Sequence, residues 1–370
     1  MHLEMEQQEG EEDEYDGLLL LLPQMTGWVS SPQQNRRVYY TVLVILLLSL
    51  SVLFGMTKHT NTVDNERAVM WKVAADDDWL LETSQPVQVF LLAGQSNMVG
   101  FGSVQHLHSL IIEMGNYTHL VDQNDQWRVR SRVRVVLPSL KEESLTVGLG
   151  FNESFIGPEL GFGWTISESL PNQNILIIKA AWDGYSLAVN FRPPSAGLGN
   201  YTNFRHKPFD DEKYGAAYRE MLSIVNQSLE ALAEPYEIKG FVWFQGWADQ
   251  SPQKNSEYKT NLVYLIQDIR RALHSPDLCV VIGECGQYRG KPKDQENLQR
   301  VRDAQKAVTE LFPNTSQLVD ARAFTHENRT EHYNSGFHYH GHADTYYDIG
   351  AAFGEAMLKL MGVREDNHSG

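Results

Sequence analysis

Near-continuous apolar runs alternate with longer amphipathic stretches from residue 86 onward. Runs of this kind are typical of strands buried on both faces of a parallel sheet. They are VQVFLLA (87–93), VRVVL (133–137), NILIIKAAW (174–182), GFVWFQG (240–246) and LCVVIGE (278–284). Helical periodicity predicts helices over 211–234, 258–274, 296–312 and 343–362. The alternation predicts an α/β three-layer sandwich with a mainly parallel sheet.

One further apolar run, 38–56, contains no charged residue. At about 1.5 Å per residue, a helix of this length crosses most of a hydrocarbon core about 30 Å thick. Arg36 and Arg37 precede it directly, so the positive-inside rule places the N-terminus in the cytoplasm. A cleaved signal peptide is the alternative, but no A-x-A-like site follows the run. We expect a retained signal anchor.

Composition divides the rest of the chain. Residues 1–37 begin with a strongly acidic stretch and are expected to be a disordered cytoplasmic tail. Residues 57–85 are polar and are expected to form a stalk. The folded domain is predicted over 86–362, and 363–370 are a short tail.

Charge, cysteines and glycosylation motifs narrow the class of protein. A formal net charge of -16 argues against a nucleic-acid partner. Cys279 and Cys285 are too far apart along a strand to form a disulfide. Seven N-x-S/T motifs all lie beyond the apolar run, at Asn116, Asn152, Asn200, Asn226, Asn314, Asn328 and Asn367. We therefore expect a single-pass type II membrane protein with a lumenal or extracellular domain.

The residues that follow the predicted strands are candidates for chemistry, because sites in such sheets form at the carboxyl ends of strands. The first strand ends in GQSNMVG, where Gly94 permits a sharp turn and Ser96 follows it. A serine at converging backbone N–H groups suits a nucleophile, since these groups can stabilise its oxyanion. The alternative is a serine that only caps a helix.

Two later strands end in polar groups that point to the same edge. KAAWDGYSL supplies Gly184, whose N–H is a candidate oxyanion donor or an ordinary turn glycine. WFQGWADQ supplies Gln245, whose amide can also donate into the pocket. Trp243 and Trp247 either wall this pocket or belong to the core.

The C-terminal stretch GFHYHGHADTYYDIG contains His338, His340 and His342. Their period-2 spacing raises the possibility of a metal site, but no carboxylate or cysteine cluster accompanies them. One of these histidines, placed beside Ser96, would instead serve as a general base. We expect no metal and no cofactor.

Together these stretches resemble the SGNH hydrolase superfamily, and within it the branch that holds the sialic-acid-specific acetylesterase domain and carbohydrate esterase family 6. The shared motifs are GQSNMVG, WDGYSL, WFQGWAD and GFHYHG, and FRPPSAG (191–197) is similar to a loop of bacterial members. The resemblance covers roughly 86–362 and implies a flavodoxin-like, SGNH-type fold.

The resemblance also implies roles for the site residues. Ser96 would be the nucleophile and His338, in its aromatic-His-aromatic setting, would be preferred to His340 as the base. The oxyanion donors would be the N–H groups of Ser96 and Gly184 and the Gln245 side chain. We expect the substrate to contact Gln95, Asn97, Trp182 and Trp243.

Three positions depart from the family pattern. Asp183 replaces the first glycine of GGxSL, and Trp247 replaces the glutamate of WxQGE. Ser335 stands where many superfamily members carry an aspartate three residues before the histidine. A Ser-His dyad is therefore possible, or a carboxylate from elsewhere orients the histidine, for which Asp320 and Asp249 are candidates.

The resulting expectation is a carbohydrate O-acetylesterase that acts through an acyl-serine intermediate, with an acetylated carbohydrate as its partner. A glycan O-acetyltransferase of the secretory pathway is one alternative, although the GDS and D-x-x-H motifs and the several cysteines of plant wall acetyltransferases are missing here. A glycan-binding homologue that has lost catalysis is the other. The sequence determines neither the sugar nor the oligomeric state.

Overall fold

The structure is a computed structural model that describes residues 85–203, 207–286, 292–326 and 333–363. Across these residues the strands are, in chain order, β1 (Val87–Gly94), β2 (Gly102–Ser103), β3 (Arg130–Val136), β4 (Glu142–Leu145), β5 (Phe155–Ile156), β6 (Ile175–Ala181), β7 (Tyr236–Phe244), β8 (Cys279–Glu284) and β9 (Ser316–Asp320). The helices are α1 (Ser96–Val99), α2 (Val104–Met114), α3 (Pro158–Ser169), α4 (Ala216–Ala231), α5 (Pro252–Ala272), α6 (Pro292–Thr309) and α7 (Ala343–Leu360).

Seven of these strands form one sheet in the order β4-β3-β6-β1-β7-β8-β9. Every neighbouring pair is parallel except β3 and β4, which are antiparallel at one edge. β1 lies at the centre, between β6 and β7. The carboxyl ends of β1, β6 and β7 therefore meet at one edge of the sheet, and the mainly parallel sheet expected from the sequence is confirmed.

Helices cover both faces of the sheet, so the domain has three layers. Along β1, alternate side chains enter opposite cores: Phe90 and Leu92 pack into one, and Val89, Leu91 and Ala93 into the other. All eight residues of β1 are buried. Burial on both faces explains why this strand reads as a continuous apolar run rather than an alternating one.

α3 and α7 pack on the same face with their backbones in contact. A Cβ added at Gly161 would lie 2.0 Å from the carbonyl oxygen of Tyr347, and one added at Gly350 would lie 2.0 Å from that of Pro158. Glycine at both positions therefore permits the close crossing. Because α7 follows the histidine-rich stretch directly, this packing fixes the position at which that stretch ends.

Several sequence expectations are settled by these elements. The helices predicted over 211–234, 258–274, 296–312 and 343–362 correspond to α4, α5, α6 and α7. Cys279 and Cys285 are both free, as expected from their spacing along β8. The acidic tail, the apolar run 38–56 and most of the proposed stalk lie outside the described residues. Among the described helices, none combines the length and apolar character needed to cross a membrane.

Candidate active site

The turn that ends β1 brings Ser96 to the carboxyl edge of the sheet. Gly94 is required there, since an added Cβ would lie 2.1 Å from the carbonyl oxygen of Phe244. Ser96 is the first residue of α1, so its N–H has no partner within the helix. Its residue surface is only 4% exposed. A serine held in this way suits the nucleophile expected from the sequence, a role that stays a prediction.

Gln95 fastens this turn to the loop that follows β7. Its Oε1 accepts hydrogen bonds from the backbone N–H groups of Gly246, at 3.2 Å, and Ala248, at 3.0 Å. It also accepts from Nε2 of Gln245 at 3.2 Å. The oxygen of the buried Gln95 side chain is thus hydrogen-bonded within the protein. Its expected contact with substrate stays a prediction.

Gln245 is equally engaged. Its Nε2 lies 2.7 Å from Oδ2 of Asp249 and 3.0 Å from the carbonyl oxygen of Tyr185, in addition to Gln95. An amide nitrogen carries two hydrogens, so three acceptors already exceed its capacity. As an oxyanion donor, Gln245 would have to turn one N–H away from these groups toward the substrate.

Asp249 anchors the loop after β6. Its two carboxylate oxygens accept from the backbone N–H groups of Leu187, at 2.7 Å, and Ala188, at 2.9 Å. Burial raises the pKa of Asp249, and these bonds together with Lys254 oppose the shift. The loop so held contains Gly184, which is exposed and adopts a left-handed backbone with φ of 69°. Gly184 is therefore exposed at the same edge of the sheet as Ser96.

Asn97 connects the turn that carries Ser96 to the histidine-rich stretch. Its Nδ2 donates to the carbonyl oxygen of Phe337 at 3.2 Å. The hydroxyl of Tyr346, on α7, donates to its Oδ1 at 2.6 Å and lies 3.3 Å from the carbonyl oxygen of His338. Asn97 is buried, so its polar groups serve this connection. The residues next to Ser96 and the residues around His338 are thus bonded to each other.

His338 lies in the short kinked segment Gly336–Gly341 and is buried. The ring stacks on Phe101 with centroids 4.0 Å apart and planes 2° apart, and Phe337 meets it edge-on at 4.5 Å. Its Nδ1 lies 3.2 Å from Oδ1 of Asn334. Burial lowers the pKa of His338 to about 4, and the nearby Asp183 carboxylate opposes that shift. The imidazole is therefore neutral at physiological pH, as a general base must be.

The two carboxylates considered as partners of His338 are engaged elsewhere. Asp249 holds the backbone after β6, as described above. Asp320, which ends β9, accepts from the guanidinium of Arg322 at 2.8 Å through each of its oxygens. Asn334 instead faces the Nδ1 of His338.

The other two histidines of the stretch, His340 and His342, lie next to each other. The stretch is kinked rather than extended, with a left-handed backbone at Tyr339 and His340, so the three histidines do not share one strand face. His342 and His340 have ring centroids 5.9 Å apart, and His342 also lies 5.3 Å from His106. Within the described ranges, no three His, Cys, Asp or Glu side chains are arranged to hold a metal ion.

The three tryptophans occupy different positions. Trp243 is 0% exposed, and its Nε1 donates to the hydroxyl of Tyr258, so it belongs to the core and cannot contact a ligand as expected. The Trp243 side chain packs into the core against Tyr258 of α5. Trp182 is half-buried and stacks on Tyr185. Trp247 is also half-buried, with its ring centroid 6.3 Å from that of the exposed Phe337.

Sequence reasoning missed three residues of this site: Phe101, Asn334 and Tyr346. Phe101 follows the GQSNMVG motif directly, which is the one signal that pointed to it. Asn334 and Tyr346 flank the histidine-rich stretch, and only the folded chain brings them onto Asn97 and His338.

A protein family model covers most of the chain. The family model described as carbohydrate esterase, sialic acid-specific acetylesterase matches residues 86–359. The chain belongs to this family. A comparison with curated protein sequences gives no significant match. Family membership supports acetylesterase activity for the domain.

Solved structures show the same fold at low sequence identity. A protein from Arabidopsis thaliana is 18% identical to this chain, with a TM-score of 0.50. The match covers 74% of this chain and 99% of the Arabidopsis protein. A carbohydrate acetylesterase from Xanthomonas citri is 13% identical to this chain, also with a TM-score of 0.50. The match covers 74% of this chain and 56% of the Xanthomonas enzyme. These similarities concern the fold alone.

Proposed function

We propose that the protein is a carbohydrate O-acetylesterase in which Ser96 is the nucleophile and His338 the general base. The observation that carries this proposal is the hydrogen bond from Asn97, next to Ser96, to the carbonyl of Phe337, next to His338. It joins the two segments that the reaction needs, although they are far apart in sequence. The neutral, buried imidazole of His338 supports the same assignment.

The reaction proceeds in two halves. The Ser96 oxygen attacks the acetyl carbonyl carbon while its proton passes to Nε2 of His338. The tetrahedral intermediate expels the sugar oxygen, which takes that proton from His338 and leaves an acetyl-serine. Water then attacks the acetyl carbon while His338 accepts one of its protons. The bond between the acetyl carbon and the Ser96 oxygen breaks, that oxygen takes the proton back from His338, and acetic acid leaves as acetate.

The negative oxygen of each tetrahedral intermediate needs hydrogen-bond donors in place. The N–H of Ser96 heads α1, and the N–H of Gly184 lies on an exposed loop at the same edge, so both fit this role. Gln245 contributes a third N–H if its amide turns away from Asp249 or Tyr185. Removing one donor of this kind typically costs roughly 100- to 1,000-fold in kcat.

The test uses the purified full-length protein with an aryl acetate and a panel of acetylated sugars. We expect acetate release by the wild type and a loss of at least about 1,000-fold in kcat for Ser96→Ala. Ser109→Ala, on α2, is the matched control and should retain activity. Unchanged turnover by Ser96→Ala would remove Ser96 from the mechanism.

The same assay separates the alternatives. A fluorophosphonate probe should label the wild type but not Ser96→Ala, and no labelling would favour a glycan-binding homologue without catalysis. Acetyl transfer to an added sugar in place of acetate release would favour an acetyltransferase. The panel of acetylated sugars identifies the preferred substrate.

We further propose the type II topology, with the domain in the lumen or outside the cell. Its support is the apolar run 38–56 in the sequence and the positions of the glycosylation motifs. The five motif asparagines among the described residues are all exposed: Asn116, Asn152, Asn200, Asn226 and Asn314. Expression in a eukaryotic cell should give a protein whose mass falls on treatment with a glycosidase. An unchanged mass would contradict the topology.

A further inference from the structure

The ring of His338 is held on three sides. Phe101 stacks on one face, Phe337 meets it edge-on, and Asn334 lies beside Nδ1. The aromatic contacts restrict the plane of the ring but do not choose which nitrogen carries the proton. Only a hydrogen-bond partner at Nδ1 or Nε2 makes that choice.

The amide of Asn334 has one possible orientation. Its Oδ1 lies 2.7 Å from the backbone N–H of Ser335, and a backbone N–H can be satisfied only by an acceptor. The oxygen, not the NH₂ group, therefore faces the backbone and His338. Because this oxygen is an acceptor, the Nδ1 that lies 3.2 Å from it must carry the proton. The neutral ring then has its lone pair on Nε2.

A lone pair on Nε2 is what a base needs in order to take the proton of Ser96. Among the described residues, no carboxylate takes the place of Asn334 at the ring: Asp183 acts on His338 through its charge, with no hydrogen bond to the ring among the described contacts. Asp249 holds the N–H groups of Leu187 and Ala188, and Asp320 pairs with Arg322. Ser335 is exposed and contributes its backbone, since its carbonyl oxygen accepts from His338 N–H.

We propose that Asn334 is the positioning residue of His338, fixing the tautomer with hydrogen on Nδ1 through its Oδ1. This inference rests on the proposed function, since it assigns a purpose to the base of that reaction. It also explains how the site works with serine at position 335. A neutral amide orients the ring without a charge, so it does not raise the pKa of the histidine as a carboxylate would.

Asn334→Ala should lower kcat by roughly 10- to 100-fold with KM unchanged, because a base in the wrong tautomer or orientation acts only in the chemical step. Asn334→Asp retains the acceptor and should retain much of the activity. Its carboxylate should also move the acidic limb of the pH profile of kcat/KM upward by about one unit or more. Ser335→Ala is the matched control and should match the wild type in both kcat and pH profile.

The tautomer can be read without any substrate. In protein labelled with ¹⁵N-histidine, the His338 signals, assigned by their loss in His338→Gln, should report hydrogen on Nδ1 in the wild type. Asn334→Ala should shift the population toward hydrogen on Nε2. Asn334→Asp should preserve the wild-type tautomer, and it remains informative if Asn334→Ala does not fold.

The outcomes separate this inference from the proposed function. An active wild type whose kinetics, pH profile and tautomer are the same in both Asn334 variants overturns the role of Asn334. If the wild type hydrolyses no ester but Asn334→Ala still changes the tautomer, the proposed function fails and the positioning contact stands. Loss of kcat with a changed tautomer, together with the shifted limb in Asn334→Asp, supports both.

Discussion

Tyr346 donates its hydroxyl hydrogen to Oδ1 of Asn97 at 2.6 Å, linking the last helix to the turn that carries Ser96. The same hydroxyl lies 3.3 Å from the carbonyl oxygen of His338. Burial holds the pKa of Tyr346 well above its ordinary value, so the hydroxyl remains a donor at any pH of interest. The Tyr346 hydroxyl thus links α7 to both segments that the proposed reaction needs.

Tyr346→Phe should therefore affect both stability and turnover. Removing the hydroxyl leaves the buried Oδ1 of Asn97 without this donor, which should cost about 1–3 kcal/mol in free energy of unfolding. A looser Asn97 also frees the His338 segment, so kcat should fall by roughly 10-fold or more. Urea denaturation and steady-state kinetics on an aryl acetate measure the two effects.

Tyr117→Phe is the control for this change. The Tyr117 hydroxyl donates to the carboxylate of Asp348, on α7, at 2.9 Å. Its loss should lower stability without lowering kcat. Equal effects of both variants on kcat would show that Tyr346 acts only through overall stability.

The pKa of His338 predicts an unusually acid-tolerant esterase. The base must be neutral, so activity is lost as pH falls through the pKa of about 4 that burial gives this group. The kcat/KM for an aryl acetate should be flat from pH 7 to about pH 5 and should decline near pH 4. A limb near the ordinary histidine value of about 6.5 would contradict this prediction.

Asp183 provides a second check of the same assignment. Its carboxylate raises the pKa of His338 against the effect of burial, so Asp183→Asn should move the acidic limb to lower pH. Asp277→Asn, an exposed change just before β8 at the opposite edge of the sheet, should leave the limb in place. Equal limbs in all three proteins would place Asp183 too far from the ring to act on it.

The fold was largely predictable because strands buried on both faces carry their signal in every residue. β1 and β6 are of this kind, as are β7 from Gly240 onward and β8 after its first residue. β9 (SQLVD) lies at the sheet edge and is only partly buried. Its polar residues interrupt the apolar run, so the sequence did not predict it as a strand. α3 was missed for the opposite reason, because burial around most of its circumference removes the amphipathic period.

The site was predictable only as far as motifs mark it. Ser96 and His338 follow from GQSNM and GFHYH, but the sequence cannot show which polar groups are already bonded to one another. Gln95, Gln245 and Asp249 proved to form a buried network, and Asn334 was not a candidate at all. Such pairings depend on contacts between distant segments, which no local pattern encodes.

A buried ion pair contacts the end of α1, the helix that begins at Ser96. The ammonium of Lys179, on β6, lies 2.7 Å from Oε2 of Glu159 and 2.6 Å from the carbonyl oxygen of Val99, the last residue of α1. It also donates to the carbonyl oxygen of Leu149 at 2.8 Å. Burial lowers the pKa of Lys179, and the Glu159 carboxylate opposes that shift.

Lys179→Met should destabilise the protein by about 3–5 kcal/mol, because it leaves the Glu159 carboxylate and two carbonyl groups buried without their donor. Glu159→Gln should also destabilise it, through the unpaired ammonium. The double variant should lose less than the sum of the two single losses, since neither charge is then left alone. Urea denaturation of the four proteins measures this, and strictly additive losses would show that the two groups do not interact.

Trp247, which replaces the glutamate of the family motif, gives a prediction about substrate binding. Its half-buried ring lies 6.3 Å from the exposed ring of Phe337, the residue before His338, and we expect the two rings to border the bound sugar, because aromatic faces suit sugar rings. Trp247→Ala should raise KM for an acetylated sugar by roughly 5- to 10-fold, the effect of losing about 1 kcal/mol of contact. KM for a small aryl acetate, which does not extend to this border, should change much less. Tyr236→Ala, an exposed aromatic at the other end of β7, is the control and should change neither value. Equal rises in KM for both substrates would place Trp247 at the acetyl group rather than at the sugar.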